Sequence, residues 1–177
     1  MKRVLIVPLV PLIVAVMATA ALASSPHFKK GGSPVCTFSG TTSIPVTCTG
    51  TLAGLGGENL NITVSVRGSA VYECQNGGGN TSPGQNKVLV GPATSSTPID
   101  SSAIKNGNLV FSTNPATLTA PATVSGADAG CPNANWTGVN PVVTLTSITL
   151  DIFQPPTVQI FHCTSATNPT SPAAMTC

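Results

Sequence analysis

Two histidines, five carboxylates and six cysteines carry most of the chemistry available to this 177-residue chain. His27 lies in SSPHFKKGG near the N-terminus, and His162 stands beside Cys163 in TVQIFHC. A Ser-His-Asp hydrolase holds its histidine between an acid and a nucleophile, and no serine here sits in the G-x-S-x-G setting of a nucleophile elbow. A Cys163 thiolate activated by His162 is disfavoured, because adjacent residues of a strand point to opposite faces. The acids Glu58, Glu73, Asp100, Asp128 and Asp151 are scattered, so no glycosidase-type pair is visible in the sequence. The chain is therefore expected not to be an enzyme, with no catalytic residues and no cofactor.

The cysteines point to disulfides. Their spacing contains no C-x2-C pair and only two histidines could assist, which argues against zinc and leaves no expected metal site. Six cysteines allow 15 pairings. Cys74 with Cys131 is the first expectation, since it joins two long-loop boundaries and closes a large loop, a stabilisation of roughly 4 kcal/mol. Cys36 with Cys48 is the second, which leaves Cys163 with Cys177.

Candidate recognition residues cluster near two of those cysteines. YECQNGGGNTSPGQNK, Tyr72 to Lys87, follows a strand pattern into Cys74 and then runs into glycine and asparagine. A phosphate loop would end on a helix and carry Lys followed by Ser or Thr, whereas Lys87 precedes a valine. A calcium loop needs several hard oxygen ligands, and Glu73 is the lone carboxylate. The expected form is a strand pinned by Cys74 and then a wide surface excursion, with Asn76, Asn80 and Gln85 available for binding. In CPNANWTGVNP, Trp136 stands among Asn133, Asn135 and Asn140; it is either an exposed sugar-stacking platform or a side chain packed into the loop. NIT at Asn61, NTS at Asn80 and NWT at Asn135 fit the N-glycosylation rule, and the proline in NPT excludes Asn168.

These residues need elements to hold them, and the dominant period is two. In LNITVSVRG, Leu60, Ile62, Val64 and Val66 share one face, the signature of a half-buried strand. SIPVTC alternates Ile44, Val46 and Cys48; TLTAPATV alternates Leu118, Ala120, Ala122 and Val124, with Pro121 marking an edge or kink. In VVTLTSITLDIF the parity changes between Leu145 and Ile148, so a bulge near Thr146 and Ser147 would keep the apolar side chains on one face. AVYEC, NKVLV, NLVF and TVQIFHC add shorter runs. No window is convincingly helical. Eight or nine short strands predict an all-β, antiparallel two-sheet sandwich, loosely immunoglobulin-like and disulfide-bonded, with a jelly roll or small barrel as the alternative. Trp136 follows Cys131 instead of lying between paired cysteines as a core plug, so the antibody pattern itself is not met.

Around that domain, expected over residues 35–164, residues 1–23 read as a signal peptide: Met1, Lys2 and Arg3, then VLIVPLVPLIVAVMATAA, then Ala21-Leu22-Ala23 as the cleavage pattern. Residues 24–34 read as a flexible lead-in and 165–177 as a Ser/Thr/Pro-rich tail. Without the leader, Lys29, Lys30, Arg67, Lys87 and Lys105 cancel the five acids. That balance gives no basic patch for nucleic acid, and no membrane insertion is expected after cleavage.

CTGTLAGLG at Cys48 to Gly56, the CQNGGGN loop with its PGQNK exit, and CPNANWT followed by LTSITL resemble small exported bacterial β-sandwich proteins of unassigned function. The similarity spans roughly Cys36 to Cys163, with Cys177 and the tail outside it. It implies secretion, a β-sandwich and no known enzymatic activity, and supplies no catalytic residues. The expected function is an extracellular interaction or surface-structural role, with a protein or glycan ligand held by the loops near Asn76 to Gln85 and Cys131 to Asn140. The alternatives are a carbohydrate-binding module using Trp136 and a secreted protease inhibitor.

Overall fold

The computed structural model describes residues 25–177, and the expected signal peptide lies outside them. The chain is all-β, antiparallel and disulfide-bonded. Its strands are β1 (His27–Phe28), β2 (Val35–Phe38), β3 (Ser43–Ala53), β4 (Leu60–Gln75), β5 (Thr81–Ile99), β6 (Leu109–Ser112), β7 (Ala116–Thr119), β8 (Val124–Ser125), β9 (Thr137–Phe153), β10 (Gln159–Ser165) and β11 (Ala173–Thr176). A 3-10 turn at Ser101–Ala103 is the sole helical element among the described residues, and no helix there is long and apolar enough to cross a membrane.

Alternation does the folding work. Leu60, Ile62, Val64 and Val66 of β4 are all fully buried or nearly so, as are Ile44, Val46 and Cys48 of β3. The path of paired strands runs β1-β3-β2-β11-β10-β9-β4-β5, with β6 and β7 on the other side of β3 and β8 on β9. β11 joins the two halves: Ala173 and Ala174 pair with β2, and Met175 and Thr176 pair with β10. β3 and β7 lie against β4, β5 and β9 without pairing with any of the three. One core cluster results, with Leu52, Phe111 and Leu118 from one half against Ile62, Tyr72, Ile148, Leu150 and Ile152 from the other.

Three strands are long, at 16, 19 and 17 residues for β4, β5 and β9. Runs that read separately in the sequence merge into them: LNITVSVRG and AVYEC form one strand through a register shift between Arg67 and Gly68. The same shift lies opposite Thr146, since Arg67 faces Ser147 and Gly68 faces Leu145. Thr146 is thus the extra residue that the parity change demands, and Val143, Leu145, Ile148, Leu150 and Ile152 all stay buried. β7 stops before Pro121, leaving Ala122 exposed and outside any strand.

All three expected disulfides are present: Cys36–Cys48, Cys74–Cys131 and Cys163–Cys177. The lead-in and tail differ from expectation. His27 and Phe28 pair with Ala53 and Leu52, and the Phe28 ring lies 4.6 Å from that of Phe161. The tail supplies β11 and ends in a disulfide. Short apolar runs among Ser, Thr and Pro were too weak to read as strands, and distant partners complete them.

Candidate binding edge

The site grows from Tyr72. This phenol ring is 1% exposed, and its hydroxyl donates to the Pro121 carbonyl at 2.9 Å. Burial raises its pKa above the ordinary 10.0. Both neighbours of β4 slip register here. On β9, Asn140 and Pro141 together oppose Tyr72; on β5, Gly84, Gln85 and Asn86 do so. Bulges re-aim side chains and bend a strand away from its partner. Asn140 takes a left-handed φ of 51°, which asparagine tolerates well, and its Nδ2 donates to Glu73 Oε2 at 2.8 Å.

The β5 bulge finds its missing partner in the segment before Cys131. Gln85 N and Asn86 N both donate to Ala129 O, at 3.0 and 3.1 Å, and Asn86 Nδ2 reaches Ala127 O. Gly84 permits the approach: a Cβ there would sit 2.5 Å from Tyr72 O and 2.7 Å from Ala129 O. Ser125 and Asp128 close a local turn, since Asp128 N donates to Ser125 Oγ, which donates in turn to Asp128 Oδ2. Cys74–Cys131 then ties this segment covalently to the end of β4.

The expected wide excursion after Cys74 is instead a tight hairpin. β4 ends at Gln75, β5 begins at Thr81, and Gln75 pairs with Thr81. Asn76 Oδ1 accepts from Gly78 N and Asn80 N at 3.0 and 2.9 Å, and Gly79 supplies the φ of +80° that the turn requires. Asn76 and Asn133 therefore spend their side-chain oxygens on backbone turns, Asn133 accepting from Asn135 N. Asn80, Gln85 and Asn135 remain exposed. Trp136 is half-buried and packed against the core cluster. Gln75 pairs with both Thr81 and Thr137, so the hairpin and the Trp136 loop share one end of the molecule.

Beside them the double slip leaves a hollow of about 340 Å³ lined by Val71, Tyr72, Glu73, Pro83, Asn140 and Val142. Val71 and Val142 face each other across β4 and β9 at 40% and 55% exposure; Lys87 pairs with Val71, and Leu89, next along β5, is 86% exposed. Sequence reasoning missed Val71, Glu73, Pro83 and Val142. The signal was there in AVYEC and VVT, where one valine of each alternating run must point away from the core. No group of three or more His, Cys, Asp or Glu side chains capable of holding a metal occurs among the described residues. Compared with protein-family models, curated proteins and solved structures, the chain matches none of them.

Proposed function

We infer that this is an exported, non-enzymatic binding protein, a loosely immunoglobulin-like sandwich that contacts an extracellular protein through the end clasped by Cys74–Cys131. Three disulfides fit an oxidising compartment. The observation that carries the contact is the Val71, Val142 and Pro83 hollow, apolar side chains left in solvent beside a braced carboxylate. Contiguous exposed apolar surface rimmed by polar groups marks interaction sites. Glu73 keeps Oε1 free while Asn140 holds Oε2, so the fitting partner offers an aliphatic side chain next to a lysine or arginine. Trp136 is half-buried and packed against the core, which weighs against the stacking-platform alternative.

Two experiments test the reading. N-terminal sequencing of protein from the culture medium should begin at Ser24; retention in the cell with an intact leader refutes export. A random-peptide display library selected on the folded protein should enrich aliphatic–basic pairs, and Val142→Asp should abolish their binding without moving the unfolding midpoint. Selected peptides that bind Val142→Asp as well as the parent refute the contact surface.

A further inference from the structure

The outer face of the sheet half formed by β5, β4, β9 and β10 carries a second organised surface, away from the clasped end. Register defines its rows. His162, Asp151, Thr63 and Ser96 lie in line across the four strands, and Gln159, Phe153, Asn61 and Pro98 form the next line. Phe153 is half-buried in the middle of that second row. Around it the polar side chains are already held: Asp151 Oδ1 is 2.6 Å from His162 Nδ1 and accepts from Gln159 Nε2 at 2.8 Å, while Asn61 Oδ1 accepts from Ser96 Oγ at 2.7 Å. Asp151 Oδ2, Gln159 Oε1, Asn61 Nδ2 and His162 Nε2 take no part in these bonds.

The surface is also shaped. Two hollows flank Phe153 and Asp151 without including them: one of about 420 Å³ at the β4–β5 side, lined by Asn61, Pro98, Asp100 and Pro156 among others, and one of about 350 Å³ at Gln159 to His162. Three strand spacings separate β5 from β10, roughly 14 Å at 4.7–4.9 Å each. No lysine or arginine occupies either row, and Asp151 is their lone carboxylate.

We propose that this strip binds a neutral oligosaccharide laid across β5, β4, β9 and β10, with one sugar ring on Phe153 and its hydroxyls on Asp151, Asn61, Gln159 and His162. A sugar ring presents an apolar C–H face and hydroxyls that both donate and accept, and the strip offers the complement: an aromatic face ringed by free donors and acceptors. The carboxylate is the strongest acceptor present, and bracing by His162 and Gln159 fixes it before the ligand arrives. A hydrolytic role for the His162–Asp151 pair is less well supported, because the one hydrogen bond made by the imidazole goes to Asp151 and the sheet places Thr63 on the far side of that acid. The proposal shares with the contact at Val71 and Val142 only an extracellular setting.

The test is calorimetric titration of the secreted protein with cello-, xylo-, manno-, chito- and malto-oligosaccharides. At least one should bind; Phe153→Ala and Asp151→Asn should each weaken that binding roughly tenfold or more, and Phe153→Trp should retain it. Denaturation midpoints show which variants are folded, and Asp151→Asn with Phe153→Trp carry the test should Phe153→Ala fail to fold. Absence of binding to the whole panel overturns the proposal, as does binding that Asp151→Asn leaves unchanged. Sugar binding lost in Val142→Asp yet kept in Asp151→Asn would assign the ligand to the clasped end and also overturn it, whereas failure of the strip leaves the peptide selection on Val142 unaffected.

Discussion

Removing Cys74–Cys131 by alanine at both positions should be the most destabilising of the comparable disulfide deletions. Loop-closure entropy of −2.1 − 1.5R ln n, applied to sequence separations of 57 for this bond and 14 for Cys163–Cys177, gives about 4.2 and about 3.0 kcal/mol at 25 °C. The pair is a fair comparison because Cys74 and Cys163 are both fully buried, while Cys131 and Cys177 are not. Cys36–Cys48 is a poorer control, since both its sulfurs are buried and their loss adds a packing penalty. With m near 2 kcal/mol/M, urea midpoints should fall by about 2.1 M and about 1.5 M. Equilibrium unfolding followed by tryptophan fluorescence reads the difference, and Trp136 lies five residues beyond Cys131, inside the region released. Equal midpoints, or a larger loss on opening Cys163–Cys177, would show that loop size does not set the cost of opening these bonds. In that case the three backbone and side-chain bonds from Gln85 and Asn86 to residues 127–129 already order the segment, and the sulfur bridge adds little.

Gln154→Ala should cost about 2–4 kcal/mol, because this 8%-exposed amide donates to Gly56 O and Glu58 O and accepts from Gly56 N; thermal melts check it. Gly84→Ala should cost about 1–3 kcal/mol in urea unfolding, since its Cβ meets two backbone oxygens, whereas Gly77→Ala, with nothing within 4 Å, should cost much less. Tyr72→Phe should cost about 1–2 kcal/mol by orphaning the Pro121 carbonyl. Tyr72 is the sole tyrosine, so its phenolate absorbance titrates alone. Its folded pKa is raised, so above pH 10.0 the unfolded chain gives up a proton that the native state keeps. Native stability should therefore fall as pH rises past that value, and that phenol contribution should vanish in Tyr72→Phe.

Period-two patterning made the core legible, because burial on one face selects alternate side chains without reference to the partner strand. The bulge at Thr146 was legible for the same reason: five apolar residues of mixed parity cannot share a face unless one residue is extra. Loop size singled out Cys74–Cys131, whereas the sequence alone does not choose among the remaining pairings. What depends on register was hidden. Asp151 and His162 lie eleven residues apart and meet only because β9 and β10 form a hairpin around Gln154–Pro155–Pro156, a turn signal visible in the sequence but silent about alignment. The hairpin after Cys74 is hidden in the sequence because a run of glycines suggests slack, while the brace that tightens it is a single asparagine oxygen accepting two amides. β1 and β11 escaped detection because so few residues bury too little to fold without distant partners.

The edge of β5 bears on where the two proposed contacts sit. It is the longest strand and closes the path of paired strands, so its outer edge offers a long template for pairing with another chain. Pro83, Pro92 and Pro98 interrupt that template at intervals, and Lys87 adds a charge. Gly91 and Pro92 fall in the register shift opposite Arg67, which breaks the edge again. Asn114 then covers part of it by donating to Ser96 O and Thr97 Oγ1. An edge so interrupted resists strand addition, whether by a second copy or by an extended peptide. That favours partners that engage side chains instead of backbone, as the contacts proposed at Val71 and Val142 and around Phe153 do.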